Sequence, residues 1–542
     1  MKPISILLLL CWACIARAQE IIEPELSGER YNILWIVNED MGPYIPAFGD
    51  STVETPNLSR LAAEGVRYTS VFSPSGVCAP SRAAIALGMY PSHVGAHHMR
   101  TGGNPKFYPK THPPYEAVPP PEAKMHGQYM RELGYYATNN AKEDYQFRKS
   151  IVCWDESSNQ AHWRKGPKDK PFFSIFNLGI THESQIWVRA NDSLWVPEDL
   201  PVPVPPYLPD TEVGRRDIRR MYSNIKIMDQ QVGEILQQLE EDGLLEKTII
   251  FWYPDHGGPL PRMKRLCYDS GLKVPMIIRF PGAQHAGKID DRLISFIDFL
   301  PTLLSLAGMQ PPAYLDGQAF LGKYRAAEDR TYIHAAGDRF DAKYDMIRAV
   351  RDHRFKYLRN YHPEKPYYLP VAYREQMPIM QELLHLRDAG QLTRNQAQWF
   401  RETKVPEELF DLYNDPHELY NLAGNPAYQA KLEELRTECD RWMAEIDDKG
   451  LMDEVDFVQT IWPDFKQPVT EKPVAVKHKR SVSLSCTTEG AAIGYQILDK
   501  DEEAAPAPWQ VYMGPVNLPK GKKLVAKAHR LGYAVSEEVI VK

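Results

Sequence analysis

Four short apolar runs in this chain each end abruptly in polar residues, and this pattern constrains the fold more than any other. Uninterrupted apolar runs of this length are typical of strands buried on both faces of a parallel sheet. Helical segments lie between the runs, for example at 57–64 and 217–241. This alternation predicts an α/β fold whose sheet is covered by helices on both faces. The runs occupy 33–37, 135–138, 172–178 and 248–253.

The polar residues after these runs predict a functional site at one edge of the sheet. In α/β proteins, ligands bind beyond the carboxyl ends of parallel strands. One polar loop after a strand carries little information, but four loops with complementary chemistry favour a site over chance. The residues are Glu39 and Asp40 after the first run, Lys142 after the second, His182 after the third, and Asp255 and His256 after the fourth.

The charge balance narrows the class of partner. The chain has 542 residues, 64 of them basic and 71 acidic, for a net charge of -7. Nucleic-acid binding normally requires a basic surface, so an acidic chain of this kind argues against a nucleic-acid partner. The cationic residues of the predicted site would then form a local positive pocket suited to an anionic substrate.

Residues 1–18 have the pattern of a secretory signal peptide. Lys2 begins a short positive region, residues 4–15 are mostly apolar, and residues 16–18 offer a small-residue cleavage site. The apolar run is shorter than the ~20 residues that a membrane span needs. We expect an exported protein, periplasmic or extracellular, without a membrane span. Five cysteines then remain, and an odd number in an exported protein indicates that at least one is unpaired.

The remaining chain divides into three predicted units. Residues 19–330 hold the alternating strands and helices of the α/β unit. Residues 331–465 read as a smaller α+β subdomain, in which apolar residues between 428 and 446 recur at helical spacing. Residues 470–542 show period-two alternation, with Val482, Leu484 and Cys486 apolar between serines, and are predicted to form a β-sandwich appendage.

The segment Cys78-Ala79-Pro80-Ser81-Arg82 indicates the type of reaction, which the composition alone does not. It resembles the signature of the type I, formylglycine-dependent sulfatases, in which this cysteine is oxidised after translation by a maturation enzyme. The resemblance extends over most of residues 30–450 and implies an alkaline-phosphatase-like fold, with a mixed, mostly parallel sheet sandwiched by helices. Glu39 and the run 255–261 resemble most closely the branch that includes N-sulfoglucosamine sulfohydrolases and bacterial polysaccharide sulfatases.

The resemblance implies a catalytic set and a metal-binding set. Lys142 and Lys264 match sulfate-binding lysines, Arg82 matches the arginine that braces the formylglycine, and His182 matches a histidine beside the substrate. One divalent cation would be held by Glu39, Asp40, Asp255 and His256 together with position 78. Carboxylate oxygens favour Ca²⁺, whereas the nitrogen donor His256, in place of the family's asparagine, leaves Mg²⁺, Mn²⁺ and Zn²⁺ open.

The implied mechanism uses both hydroxyls of hydrated formylglycine at position 78. One hydroxyl attacks sulfur while His182 protonates the departing group, and the second then expels sulfate as the aldehyde re-forms. The family's lysine is commonly followed two residues later by a histidine that assists this expulsion, and this chain has Asp144 there. Asp144 or a histidine of the pair His97 and His98 could take that role.

Sulfated glycans such as ulvan, carrageenan or glycosaminoglycan fragments are the expected substrates, as O-sulfates or N-sulfates. Two alternatives from other classes are a phosphatase or phosphonate monoester hydrolase of the same superfamily, and a glycan-binding protein without catalysis. Several further residues could contact sugar, with solvated charges or internal salt bridges as the equal alternative for each. These are His97, His98, Arg100, Asp144, Arg339, Asp341 and Arg348.

Overall fold

The computed structural model describes residues 22–26, 30–102 and 109–542. The predicted signal peptide, residues 1–18, lies outside these described residues. Among the described helices, none combines the length and the apolar character that crossing a bilayer requires.

The central sheet is built from strands whose order differs from their order in the chain. The spatial order is β4-β3-β5-β1-β6-β7-β2-β8, with β9 also paired to β2. β7 runs antiparallel to its neighbours β6 and β2, and the remaining pairs are parallel. The strands are β1 Asn32–Asn38, β2 Val66–Phe72, β3 Tyr136–Asn140, β4 Glu156–Ser157, β5 Phe172–Leu178, β6 Thr248–Pro254, β7 Lys273–Arg279, β8 Ile289–Asp290 and β9 Ile294–Ser295.

Both faces of this sheet are buried, as the apolar runs predict. On β1, Ile33, Trp35 and Val37 point into one apolar core, while Leu34 and Ile36 point into the core on the opposite face. Successive side chains of a strand point to opposite faces, so an unbroken apolar run is what a sheet covered on both sides requires. The mixed, mostly parallel sheet between helical layers confirms the predicted fold class.

The helices cover the sheet and its neighbours. The longest, α6, begins one turn earlier than the apolar pattern predicts, because the Thr211 side chain caps it by accepting the Gly214 N–H at 3.2 Å. The helices are α1 Pro56–Glu64, α2 Cys78–Leu87, α3 Pro91–Val94, α4 His126–Glu132, α5 Ser184–Val188, α6 Glu212–Glu241, α7 Asp269–Leu272, α8 Phe299–Leu306, α9 Pro378–Asp388, α10 Arg394–Ala397, α11 Gln429–Glu445 and α12 Glu454–Ile461.

A second, antiparallel sheet follows the central one along the chain. Its order is β10-β11-β12-β13, formed by Ile333–Gly337, Ile347–Arg351, Phe355–Asn360 and Glu407–Asp411. α11 packs on it through Leu432, Leu435, Cys439 and Trp442, the face that the helical spacing predicts. The long connection between β12 and β13 contains α9 and α10, and α9 packs against α6 of the α/β unit.

One buried carboxyl at the junction of α6 and α9 makes a prediction about stability. Asp217 accepts the backbone N–H of Ile379 at 2.7 Å, and burial raises the pKa of Asp217 to about 7 from 3.8. The folded state therefore holds this proton to higher pH than the unfolded state, so stability falls as pH rises from about 4 to 7. Asp217→Asn keeps the acceptor oxygen and should raise the free energy of unfolding at pH 8 by roughly 1–3 kcal/mol.

Chemical denaturation of both proteins at pH 4 and pH 8 tests this. The two curves should coincide at pH 4 and separate at pH 8, and the exposed Asp169→Asn serves as the control with no shift at either pH. A loss of stability in Asp217→Asn at pH 8 would contradict the assignment.

Residues beyond 470 form two antiparallel sheets that face each other. One has the order β14-β15-β18 and the other β17-β16-β19-β20. Their shared core contains Val482, Leu484, Leu524 and Ala526, while the serines that alternate along β15 are exposed. The strands are β14 Val474–His478, β15 Ser481–Ser485, β16 Ala492–Asp499, β17 Gln510–Val511, β18 Val516–Asn517, β19 Lys522–His529 and β20 Val539–Val541.

This sandwich packs directly on the α/β unit. Trp509 and Leu498 lie in one apolar cluster with Val152 of the loop before β4. Arg530 donates hydrogen bonds to the carbonyl oxygens of Pro119 and Pro120, at 2.6 and 3.1 Å. The proline-rich segment 113–121 therefore forms part of the surface on which the sandwich sits.

Candidate active site

Cys78 is the first residue of α2 and lies at the centre of the site. It follows β2 through a tight turn, in which a Cβ on Gly76 would lie 2.6 Å from the carbonyl oxygen of Leu266, so only glycine fits. Position 78 is 2% exposed. The N-terminus of a ten-residue helix carries partial positive charge, which favours an anion at this point.

Acidic and imidazole groups from two strand ends converge on Cys78. Asp40 follows β1, and Asp255 and His256 follow the neighbouring β6. The Cys78 Sγ lies 3.5 Å from His256 Nε2 and 3.9 Å from Asp40 Oδ1. His256 Nε2 lies 2.9 Å from Asp40 Oδ1 and 3.7 Å from Asp255 Oδ1, and the Asp40 N–H donates to Asp255 Oδ1 at 3.1 Å. The parallel pairing of β1 with β6 therefore brings these residues together.

The other strand ends supply a second group beside the first. Glu39 Oε1 forms an ion pair with Lys142 Nζ at 2.9 Å, and Glu39 Oε2 lies 3.7 Å from His182 Nε2. Burial and the charge of Lys264 lower the pKa of His182, but the nearby acidic groups outweigh them and raise it above its usual value. A histidine that keeps its proton in this way can act as a general acid.

Arg82 lies one turn into α2 and braces the site from behind. Its Nε donates to Asp255 Oδ2 at 3.0 Å, and its Nη1 donates to Asn177 Oδ1 at 2.6 Å. Its Nη2 is buried and has no hydrogen-bond partner among the described residues. The guanidinium is thus held rigidly by two strand ends, with one donor still to be satisfied.

Lys264 enters the site from the loop after β6. Its Nζ donates to Asp40 Oδ2 at 2.6 Å and lies 3.3 Å from Glu183 Oε1. Glu183 in turn accepts two hydrogen bonds from Arg265, at 2.6 and 2.8 Å. These side chains are 0–2% exposed, so each charge is balanced inside the protein.

The field at position 78 favours negative charge. Burial raises the pKa of the Cys78 thiol, but Lys264 and Lys142 outweigh it and lower this pKa to about 7. The same cations would stabilise the oxygens of a bound sulfate. The geometry therefore suits an anionic substrate whose reacting atom approaches position 78.

The acids fit a divalent cation by their donor chemistry. Asp40, Asp255, His256 and Cys78 each offer a ligand atom within 4.8 Å of the others, and so do Glu39, Asp40, Cys78 and His182. His256 Nδ1 lies 3.1 Å from the Gly257 carbonyl oxygen, which only accepts, so Nδ1 carries a proton and Nε2 is the ring nitrogen that a cation would displace a proton from and bind. Burial lowers the pKa of His256, but Asp255 and Asp40 raise it to about 10. These carboxylates therefore attract positive charge strongly.

The residues proposed as sugar contacts fall into two groups. His97, His98 and Arg339 are buried, and Arg339 forms a two-point ion pair with Glu454 at 2.6 and 2.7 Å. Arg348 is likewise buried. This placement favours internal contacts, the alternative left open by the sequence. Arg348 pairs with Asp338 and Asp448, at 3.0 and 2.6 Å.

Of the remaining residues, Asp144 is exposed and Arg100 is half-buried, whereas Asp341 is buried. Arg100 is 29% exposed, pairs with Asp341, and lies over the ring of Tyr373 at 5.1 Å. Asp144 Oδ2 lies 3.8 Å from Lys142 Nζ. Tyr373 comes from the connection between β12 and β13 and packs edge-on against His182, 6.3 Å between ring centres.

Sequence reasoning missed three residues that complete the site: Glu183, Arg265 and Asn177. Glu183 is adjacent to His182, and Arg265 to Lys264, so their positions beside site residues were the available signal. Their pairing across 82 residues of chain has no sequence signature.

Comparison with known proteins identifies the family. The family model described as Sulfatase matches residues 31–114 and 128–309, and that described as N-sulphoglucosamine sulphohydrolase, C-terminal, matches 262–377. A solved structure of a protein in complex with its substrate D-glucosamine-2-N,6-O-disulfate superposes with a TM-score of 0.56 at 15% identity. It covers 78% of this chain and 99% of that chain, and so shares the fold.

Two curated relatives support this result, and one of them extends it to nearly the whole chain. The human N-sulphoglucosamine sulphohydrolase is 25% identical over 77% of this chain and 90% of its own length. An ulvan-active sulfatase of Formosa agariphila is 50% identical over an alignment of 575 residues that covers 98% of this chain and 96% of the relative. At that identity along nearly the full length of both proteins, the chain belongs to the sulfatase family and is a sulfatase.

Proposed function

We propose that this protein removes sulfate from sulfated polysaccharides of the ulvan type, using formylglycine at position 78 and one divalent cation, with Ca²⁺ as the first choice. The single observation that carries the substrate is the 50% identity to an ulvan-active sulfatase, which includes the appendage as well as the α/β unit. The cluster of acids and cations around Cys78 supports the chemistry. We further propose that the protein is exported and matured by a formylglycine-generating enzyme.

The cation would be held by Glu39, Asp40, Asp255 and His256, all of which lie around position 78. Formylglycine at position 78 would supply the nucleophilic hydroxyl, and the cation, when bound, would act as a Lewis acid that polarises the sulfate. The oxygen-rich donor set favours Ca²⁺, and His256 Nε2 is compatible with Mg²⁺, Mn²⁺ or Zn²⁺ as well.

The protein's own residues bind the sulfate and move a proton. Lys142 and Lys264 neutralise the charge of the sulfate oxygens. Arg82 donates a hydrogen bond to Asp255 and so keeps this carboxylate in place beside position 78. His182 carries the proton on Nε2, the atom that faces Glu39, and donates it to the oxygen or nitrogen that leaves. Arg100, Asp341 and Asp144 are the proposed contacts for the sugar.

A panel of substrates tests the proposal directly. The protein, expressed with a formylglycine-generating enzyme, is incubated with oligosaccharides of ulvan, carrageenan and heparan sulfate, and with a phosphonate monoester. Free sulfate is measured by ion chromatography, and the desulfated position is mapped by NMR. We expect kcat/KM on ulvan oligosaccharides to exceed the others by at least about tenfold, since correct hydroxyl contacts discriminate strongly between substrates.

Each outcome of the substrate panel points to a different function. Faster desulfation of carrageenan or heparan fragments would keep the sulfatase and replace the substrate. Faster phosphonate hydrolysis would favour the phosphoryl-transfer alternative. Binding without release of sulfate, by protein whose aldehyde is verified by mass spectrometry, would favour a glycan-binding protein.

A further inference from the structure

We propose that Glu183 is a positioning residue that holds the two halves of the site together, the metal-binding carboxylate of Asp40 and the sulfate-binding ammonium of Lys264. The inference rests on the proposed function, because it assigns those roles to Asp40 and Lys264. It concerns a buried acid that belongs to neither of the clusters of metal-ligating atoms found among the described residues.

The backbone of Glu183 fixes the orientation of Asp40. The Glu183 N–H donates to Asp40 Oδ2 at 2.7 Å. This leaves Asp40 Oδ1 directed at His256 Nε2 and at Cys78 Sγ, at 2.9 and 3.9 Å. The oxygen that faces the centre of the site is therefore selected by a main-chain hydrogen bond from the turn after β5.

The side chain of Glu183 fixes Lys264. Its carboxylate is 1% exposed and lies 3.3 Å from Lys264 Nζ, and it is anchored from the other side by two hydrogen bonds from Arg265. Arg265 is itself held by a left-handed backbone, with φ of 76°, and by a hydrogen bond from its N–H to the Gly76 carbonyl at 2.6 Å. The anchor thus reaches back to the turn that carries Cys78.

Glu183 matters because two positive charges, Lys264 and the bound cation, would both pair with the Asp40 carboxylate. Lys264 Nζ lies 2.6 Å from Asp40 Oδ2, so the lysine and a bound cation compete for the charge of one carboxylate. A buried lysine without a counter-ion is strongly unfavourable. Glu183 supplies the second negative charge, which lets Lys264 remain charged and in place while Asp40 serves the cation.

Glu183→Gln separates this role from a plain electrostatic one. Glutamine keeps the backbone N–H and the size of the side chain but loses the charge. If Glu183 were merely a negative charge near the sulfate, its removal would favour the anionic substrate and KM would fall. If Glu183 is a positioning residue, its loss leaves Lys264 to pair with Asp40 without the second carboxylate, so KM should rise by about tenfold or more and cation affinity should fall by a similar factor.

The experiment measures cation affinity without relying on turnover. The midpoint of thermal unfolding is followed during titration with CaCl₂, and with MgCl₂ and MnCl₂ to find the cation that the wild type binds tightest. Asp290→Asn removes an equally buried carboxylate that pairs with Arg292 outside the site, and it controls for loss of a buried ion pair. It should lower the starting midpoint without changing the cation affinity or KM.

A second background isolates the dependence on Lys264. In Lys264→Met, adding Glu183→Gln should change the cation affinity less than twofold, because there is no ammonium left to reposition. An equal loss in both backgrounds, or a fall in KM for Glu183→Gln, would overturn the proposal. A wild type that binds cation but releases no sulfate would instead count against the proposed function, and the titrations would still decide the role of Glu183.

Discussion

Turnover by the Cys78→Ser and Cys78→Ala variants is expected to fall by roughly 10⁴-fold or more, the scale seen when an enzyme loses its nucleophile. Position 78 lies at the helix N-terminus, within 4 Å of both His256 and Asp40, so no neighbouring group can replace it without rebuilding the site. A serine hydroxyl can accept sulfate once, but it lacks the second hydroxyl needed to expel it. The alanine variant should therefore be inert, and the serine variant should stop after one turnover.

Quantifying the released sulfate and the intact mass of the protein distinguishes the two variants. Cys78→Ser should retain one sulfate per molecule after incubation, and Cys78→Ala none. Cys439→Ala provides the matched control, because Cys439 is also buried but lies in the smaller unit, on the face of α11 that packs on the second sheet. Sustained turnover by Cys78→Ser would contradict the proposed formylglycine mechanism.

Replacing Asp40 with asparagine is expected to produce the second largest effect. Asp40 contacts His256, Lys264 and the Glu183 N–H, and it adopts a left-handed backbone with φ of 45°. Asparagine tolerates this conformation, so the change removes charge with little backbone cost. Affinity for the divalent cation should fall by at least about 100-fold and kcat/KM by about 10³-fold.

Calorimetric titration with CaCl₂ and elemental analysis of the purified variant measure the first effect, and desulfation kinetics the second. The matched control is Asp447→Asn, at another left-handed aspartate with φ of 49° that is exposed on the surface. It should leave both quantities unchanged. Unchanged cation affinity in Asp40→Asn would remove Asp40 from the metal site.

The sequence predicted those parts of the site that follow from strand order. Glu39, Asp40, Asp255 and His256 were expected together because parallel strands present their carboxyl ends at one edge, and β1 pairs with β6 as this requires. Local pattern and sheet topology act in the same direction there, so residue type and position along a strand were sufficient.

Contacts between distant loops could not be predicted in this way. The sequence left His97, His98 and Arg339 open between sugar binding and internal contacts, and the acid that receives Arg339 is Glu454, 115 residues further along. Glu183 was visible only as a neighbour of His182, since its partner Arg265 follows a different strand. Such pairings depend on how loops pack over the sheet, and a single sequence does not encode that packing as a local pattern.

The seat of the β-sandwich has a consequence for how this protein can be dissected. Trp509 and Leu498 pack against Val152, and Arg530 donates hydrogen bonds to two consecutive prolines. The appendage is therefore docked on the α/β unit and is not joined to it by a linker alone. A chain truncated after Phe465 would expose the apolar surface around Val152, in the connection between β3 and β4. Shortened versions are therefore poor surrogates, and the intact polypeptide is the right unit for crystallisation and kinetics alike.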